Sequence, residues 1–565
     1  MKSHLRDLLA RAINKTAKGG ELNITDLPPL LLEPPKQKEF GDLATNVALV
    51  WAKKERRPPR AIAEAILKNL EDPEGILSHM GVAGPGFLNF SFSPKFCYQR
   101  LREIEAEKEA RLDLGKGNKV QVEFASVNPT GPLHVGHGRV AVIGDVLARL
   151  LEAVGYDVER EYYVNDAGRQ MEMLGLSLYL RYRELYGEKA EVPEDGYPGE
   201  YVKEMAVGVK QRWGERFLSE EKEKAIEFLS RYGGDTLLGE IRDDLAEFGI
   251  AFDCYVSEKE LREKGEVQEA IELLRSLGLM YSKEGAQWFH SAAYGDDKDR
   301  TVIKSDGELT YFASDIAYHR NKLKRGFKRL INVWGADHHG YVVRIKAAIK
   351  AFGYDPELLH VVLVQKVRLT RGGEVVRMGK RLGEFISLRE VLEEVGRDAA
   401  RFFFLMRKAD SHLDFDLELA KKESSENPVF YVQYAHARIA SIFEQARHGG
   451  LQIDDLLRDV EMERLVLGEE LDLIKRVVEF PEVLEESVKE LEPHRIVFYL
   501  LELAGEFHRY YNRFRVISDD LALARARLLL VRNVQKVIRK GLLLLGIEAP
   551  LKMAARNEEA LALRQ

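Results

Sequence analysis

Apolar residues recur at helical spacing after Gly138, at Val142, Val146 and Leu150, and predict a helix from about Gly138 to Val154. Just upstream, Val120–Ser126 alternates as a strand does. Between the two lies Val127-Asn-Pro-Thr-Gly-Pro-Leu-His-Val-Gly-His137, a turn rich in glycine and proline. Strand, turn and helix start bring free backbone N–H groups and the positive end of a helix dipole together, which suits an anion.

The rest of the chain divides around this unit. Residues 1–112 read as a separate α/β domain. Its first helix runs from near His4 to Lys18 and stops at Gly19-Gly20. Pro28-Pro29 and Pro34-Pro35 punctuate a loop, and Leu43–Trp51 is helical in period. A turn at Gly81–Gly86 precedes a strand at Phe87–Phe92, and a charged helix at Leu101–Arg111 leads to a link at Gly115-Lys-Gly117. Residues 118–375 alternate strand and helix, as in a parallel sheet of Rossmann type. A charged, helix-rich stretch at about 184–285 reads as an insertion that adds no clear strand. Leu330–Trp334 and Val361–Val364 are short apolar runs of strand length. Residues 376–425 follow as a loop region, and 426–565 read as nearly all helix. The expected fold class is therefore multidomain α/β: a Rossmann-type parallel-sheet domain, an N-terminal α/β domain and an all-α C-terminal domain.

Composition narrows the setting. At roughly 150 residues per domain, 565 residues suggest three or four domains. A net charge of −7 excludes a generally basic coat for nucleic acid, so any such contact needs a local patch. Cys97 and Cys254 are the two cysteines and make neither a disulfide framework nor a CxxC metal pair. The N-terminus carries charges where a signal peptide needs an apolar core, and no apolar run approaches the ~20 residues of a membrane span. A cytoplasmic protein without a membrane partner is expected.

Five groups of residues can carry chemistry. His134 and His137 add ring N–H donors to the anion turn, and Gly136 between them removes a side chain where a flat purine can pack; a plain polar loop is the alternative. Glu123 and Asn128 offer a carboxylate and an amide to a cationic amine, although Asn128 before proline also suits a turn cap. Tyr311 and Asp315, four apart, share one face if that stretch is helical. A carboxylate beside a phenol suits a guanidinium or ammonium, and an ordinary helix N-terminal acid is the other reading. In Gly335-Ala-Asp337-His338-His339-Gly340, glycine permits close approach and Asp337 can accept ribose hydroxyls; a metal site is the competing reading, with no third ligand at a characteristic spacing. Finally, Lys380 and Arg381 lie in a loop after Arg371-Gly-Gly373 and can clamp a triphosphate, or form an exposed basic loop.

Together these motifs resemble the arginyl-tRNA synthetase family of class I aminoacyl-tRNA synthetases. His134-Val-Gly-His137 matches the family's HIGH element, and Met378-Gly-Lys-Arg381 lies where its KMSKS element belongs. The resemblance extends over Phe40–Asn46, Glu123–His137, Tyr162–Gln170, Tyr311–Arg320, Gly335–Tyr341 and Tyr431–Arg438. It implies that Glu123, Asn128, Tyr311, Asp315 and Gln170 hold arginine. It implies that His134, Gly136 and His137, with Gly335 and Asp337 at the adenosine end and Lys380 and Arg381 on the phosphates, hold ATP. His134, His137 and Lys380 would be catalytic, and Asn46 would meet the tRNA elbow. One departure stands out: Gly379 replaces the serine of the KMSKS pattern, which removes a hydroxyl contact.

The C-terminal segment points the same way. Nine Lys/Arg stand against Asp519 and Asp520 between Arg509 and Lys540, with Tyr510, Tyr511 and Phe514 among them. Basic residues with aromatics suit phosphate contact and base stacking, and an amphipathic helix with a solvated basic face is the alternative. By resemblance this is the anticodon-binding domain, with Arg509, Arg513 and Arg515 as tRNA contacts. The implied substrates are L-arginine, ATP with its Mg2+, and tRNA(Arg). The implied reaction forms arginyl-adenylate and then charges tRNA, with tRNA needed for the first step, on a monomer without a resident metal. A small-molecule nucleotidylyltransferase and a non-catalytic RNA-binding paralogue are the other readings.

Overall fold

The computed structural model describes residues 1–23, 30–106, 112–376, 386–449 and 460–553. Helix α1 (Lys2–Lys18) begins an α/β unit that continues through β1 (Leu43–Thr45), α2 (Val47–Glu55), α3 (Pro59–Lys68), β2 (Leu77–Ala83), β3 (Phe87–Phe92) and α4 (Pro94–Glu105). Its antiparallel sheet has the order β1-β3-β2. The helical reading of Leu43–Trp51 is corrected here. Leu43–Thr45 pairs with β3 and the helix starts only at Val47, because the apolar faces of a short strand and the following helix merge into one pattern.

A five-stranded sheet organises the centre. It is built from β4 (Lys119–Glu123), β5 (Asp157–Val164), β6 (Cys254–Ser257), β10 (Arg329–Gly335) and β11 (Leu359–Val364), all parallel, in the order β11-β10-β4-β5-β6. Helices α5 (Val135–Ala153) and α6 (Arg169–Glu184) follow β4 and β5, and α7 (Glu200–Trp213), α8 (Arg216–Ser219) and α9 (Lys222–Glu247) precede β6. Next come α10 (Glu258–Glu263), α11 (Glu266–Ser276), an antiparallel sheet of β7 (Met280–Lys283), β8 (Ala286–Phe289) and β9 (Arg300–Ile303), α12 (Tyr311–Lys324) and α13 (Val342–Ala351). The stretch 184–285 is thus more than a helical insertion, because it supplies β6, the edge strand of the main sheet. Its four residues, Cys-Tyr-Val-Ser, half-buried throughout, carry no apolar run to announce a strand.

Chain direction through the sheet reverses at β4. From it the chain moves outward to β5 and β6 on one side, and it later adds β10 and β11 on the other. The crevice past the carboxyl ends of β4 and β10 is the ligand position of a doubly wound sheet.

Beyond the sheet lie β12 (Val367–Arg371), β13 (Glu374–Val375), α14 (Leu388–Val395), α15 (Arg397–Phe404), β14 (Leu413–Asp416) and α16 (Leu417–Ala420). Helices α17 (Pro428–His448), α18 (Gly468–Lys489), α19 (His494–Arg513) and α20 (Leu521–Leu544) form the C-terminal bundle.

Helix α5 is the best buried of the elements that meet the crevice, with residues such as Ala141, Val142, Val146 and Leu150 removed from solvent. Gly144 lets it lie against β4, since a Cβ there would stand 2.1 Å from Cγ of Phe124. Phe124 sits in the core and cannot yield without opening a void. Gly144→Ala is expected to lower stability by about 1–3 kcal/mol, read as a shift of the urea midpoint; an unchanged midpoint would contradict this close packing.

Candidate active site

His134 is the N-cap of α5, in extended conformation, and its ring closes the helix end. Nδ1 of His134 accepts from the N–H groups of Gly136 (3.0 Å) and His137 (3.4 Å). Nδ1 of His137 accepts in return from the N–H of His134 at 3.3 Å. The two rings stack with centroids 3.5 Å apart. Burial lowers the pKa of both, His137 to about 3, with the neighbouring His134 adding to the effect there. Both imidazoles are therefore neutral at pH 7. With each Nδ1 accepting, the proton of each sits on Nε2. The helix end thus carries two uncharged rings, each with its proton on Nε2, and the positive end of a dipole without a formal charge. Gly136 has no open space at its Cβ position, because the His134 ring lies 2.9 Å away, so the glycine serves the ring stack.

The turn is anchored to the segment that follows the basic loop. Leu388 N–H donates to Leu133 C=O at 2.8 Å, and His134 pairs with Ser387. Lys380 and Arg381, and Gly379 beside them, fall outside the described residues.

On the other side of the crevice α12 turns one face to the sheet ends. Tyr311 and Asp315 do share that face, and Tyr318, His319 and Lys322 continue it. Tyr311 is exposed, whereas Asp315 is half-buried. Burial raises its carboxyl to about 7, with the Tyr341 hydroxyl drawing it back and the Glu258 and Glu123 carboxylates pushing it further up. Tyr341 belongs to the Gly335–Tyr341 stretch, so two separate sequence groups meet at Asp315.

Glu123 and Asn128 are placed differently. Glu123 is buried, and its Oε2 accepts from Lys322 Nζ at 2.5 Å while Oε1 accepts from the Ser126 hydroxyl at 3.0 Å. Lys322 is fully buried, also donates to Asn332 Oδ1 (3.0 Å) and lies 4.3 Å from the Tyr318 ring centre. Asn332 in turn contacts His319 Nε2 at 3.0 Å. Asn128 donates its amide to Gln170 Oε1, which brings these two predicted residues together. Gly335 ends β10, and Asp337 beyond it is exposed, 3.8 Å from His338 Nε2.

Sequence reasoning missed Lys322, Asn332 and Tyr341. Lys322 was detectable, since it lies seven residues after Asp315 and so recurs on the same helical face.

The peripheral residues are dispersed. Asn46 is half-buried at the start of α2. Arg509, Arg513 and Arg515 are exposed around the end of α19, with Arg513 paired to Glu469 at 3.3 Å. The basic segment is partly consumed internally. Arg527 pairs with buried Glu470 at 2.8 Å, and Arg532 (3.4 Å) and Lys536 (3.1 Å) both pair with Glu105 of α4.

Asp315 makes a pH-dependent claim. Its carboxyl rises from 3.8 to about 7 on folding, so enclosing it costs nothing where both states are protonated and most above the folded value. Asp315→Asn should therefore raise stability at about pH 8 by up to about 4 kcal/mol, with the gain shrinking as the pH falls towards 5. Paired thermal melts across that range check it, and a difference independent of pH would refute it.

Three family models cover the chain: "Arginyl tRNA synthetase N terminal domain" at residues 3–92, "tRNA synthetases class I (R), catalytic domain" at 101–414, and "DALR anticodon binding domain" at 432–553. An arginine–tRNA ligase of Geobacter sp. (strain M21) is 50% identical over 556 residues, covering 98% of this chain and 100% of its own. One of Citrifermentans bemidjiense is equally similar, at 50% with the same coverage. The Thermus thermophilus arginyl-tRNA synthetase structure superimposes with a TM-score of 0.76 at 25% identity, covering 97% of this chain and 100% of that one. With matched domains from end to end and a crevice flanked by a helix N-terminus and a carboxylate pocket, the chain belongs to the arginyl-tRNA synthetase family of class I.

Proposed function

We propose that this arginine–tRNA ligase activates arginine in the crevice between β4 and β10, with ATP phosphates at the end of α5 and the arginine side chain towards α12. The observation that carries the reading is the meeting of opposite chemistries across one sheet edge. Neutral histidines cap α5 in the turn that follows β4, and a half-buried carboxylate of raised pKa, Asp315, stands on α12 with the buried Glu123 near it.

In the first step a carboxylate oxygen of arginine attacks the α-phosphorus of ATP. The bond to the bridging oxygen breaks, and pyrophosphate leaves with its electron pair. His134 and His137 donate through Nε2 to phosphate oxygens, where charge grows in the transition state. Being uncharged at rest, they donate from Nε2 without first gaining a proton. Magnesium enters with the phosphates as part of the ATP substrate. Lys380 and Arg381 neutralise the departing pyrophosphate; support comes from Ser387, close behind them in sequence, which pairs with His134. In the second step the terminal ribose hydroxyl of tRNA(Arg) attacks the acyl carbon and AMP departs. No enzyme nucleophile is needed, so positioning and charge stabilisation supply the rate.

Asp315 takes the guanidinium, whose planar donors match a carboxylate. A guanidinium beside it favours the ionised form and so brings its carboxyl down. Glu123 adds a second negative charge, shared with Lys322. Tyr311 covers the pocket mouth, and Asn128 with Gln170 holds the backbone end of the amino acid. Gly335 and Asp337 serve the adenosine. Asn46 meets the tRNA elbow, and Arg509, Arg513 and Arg515 the anticodon arm; the exposed Glu469 partner of Arg513 gives way to phosphate at little cost. The chain works as a monomer in the cytoplasm, where tRNA is charged.

Two outcomes are expected. Asp315→Asn raises the arginine KM about 100-fold or more and leaves the ATP KM within a few-fold; equal loss for both substrates would place Asp315 outside the arginine pocket. Arginine-dependent ATP–pyrophosphate exchange appears only when tRNA(Arg) is added, and full exchange without tRNA would remove the tRNA requirement from the mechanism.

A further inference from the structure

The segment joining β4 to the histidine turn is held down as a strap. Ala125 opens it with φ at +54°, a sharp left-handed turn that a non-glycine residue adopts only under constraint. Ser126 Oγ donates to Glu123 Oε1 at 3.0 Å and accepts from the N–H of Tyr163 at 3.1 Å. The Tyr162 hydroxyl, inside the core, accepts from Val127 N–H at 3.0 Å and donates to Val127 C=O at 2.7 Å. One phenol thus meets both backbone groups of the residue before Asn128, with the Val127 N–H shared with the Ala125 C=O at 2.6 Å. Two residues beyond Asn128, the hydroxyl of Tyr201 on α7 donates to Thr130 C=O at 2.7 Å. Phenylalanine would fill either ring position, so packing alone does not account for the hydroxyls. Their evident role is to fix the strap on both sides of Asn128.

We propose that Tyr162 and Tyr201 are positioning residues for amino-acid activation, pinning Val127 and Thr130 so that the Asn128 amide and its Gln170 partner are held where the arginine backbone arrives. The strap also gives the helical stretch containing α7 a task in the chemistry, because through Tyr201 it grips the chain four residues before His134. A loop free to shift by an ångström would lose alignment of the amide while leaving the α5 helix end, capped by its own histidines, intact. The effect therefore falls on arginine and spares ATP. This rests on the reading of Asn128 as an arginine contact.

The test uses the full chain with tRNA(Arg), in Tyr162→Phe, Tyr201→Phe, Asn128→Ala and the double variant Tyr162→Phe/Asn128→Ala. Arginine KM and ATP KM are measured by pyrophosphate exchange, and folding by thermal melts. Each tyrosine variant should raise the arginine KM about tenfold and keep the ATP KM within about twofold. Tyr162→Phe added to Asn128→Ala should cost little more than Asn128→Ala alone, since both act through one amide. Multiplicative losses, or equal losses for both substrates, would reduce the tyrosines to general scaffolding and overturn the proposal. Should Tyr162→Phe fail to fold, Tyr201→Phe decides the matter by the same KM ratio. An Asn128→Ala protein with unchanged arginine KM overturns the pocket assignment itself. A raised KM in Asn128→Ala with unchanged values in both tyrosine variants overturns only the strap.

Discussion

Arg139 and Asp145 are buried charges on one helix, and each finds its partners in a different part of the chain. The Arg139 guanidinium donates to the carbonyls of Gln365 (2.8 Å), Ser411 (2.8 Å) and Lys408 (3.0 Å). Asp145 meets Arg401, which is itself fully buried and also donates to Phe248 C=O (3.1 Å) and Leu545 C=O (2.9 Å). A buried charge deprived of its partners is expensive, so α5 is stable in this place only when those segments are also in place. Phe248 ends α9, residues 401–411 lie between sheet and bundle, and Leu545 follows α20. The position of the histidine pair at the N-terminus of α5 is thus inherited from three regions far apart in sequence.

The same burial sets the electrostatics of the crevice. It keeps both histidines neutral and holds the Asp315 carboxyl up near 7. The two halves respond differently to charged ligands. The histidine end already offers its donors, so an anion needs no protonation event. The Asp315 pocket favours ionisation once a cation stands beside it. Lys322 makes the two carboxylates unlike: Glu123 is engaged by an internal ammonium, whereas Asp315 is met by the Tyr341 hydroxyl.

Legibility in the sequence followed the length and regularity of each element. The α5 helix and β3 carry clear periodicity and lie at Val135–Ala153 and Phe87–Phe92. Strand β6 is four half-buried residues with no period to read, and β1 merges with α2 into an apparent helix. In the site, residues on one strand end or one helix face were legible because spacing alone makes them neighbours. The Asp315–Tyr341 contact and the Tyr162–Val127 bonds were not, since each joins elements whose meeting is decided by sheet order. Sequence also shows which residues are charged but not which charges are already spent, and Glu123 reads as an open carboxylate until Lys322 is seen beside it.

The C-terminal bundle shows the same accounting at larger scale. Arg527, Arg532 and Lys536 count as basic residues, yet Glu470 and Glu105 take them up. Glu105 ends α4, so two of these pairs fasten the bundle to the N-terminal unit, alongside Lys475 with Asp42 at 2.6 Å and the Tyr98 hydroxyl on Leu465 C=O at 2.7 Å. The first and last domains therefore lean on each other. The bundle also meets the catalytic domain directly, where α18 and α20 pack on α5, and through Leu545, Arg401 and Asp145. A displacement of α20 acts on α5 through that packing and through the fully buried Arg401 guanidinium. The Arg401 contact is thus one polar link from the anticodon-binding domain to the helix that carries the histidine pair.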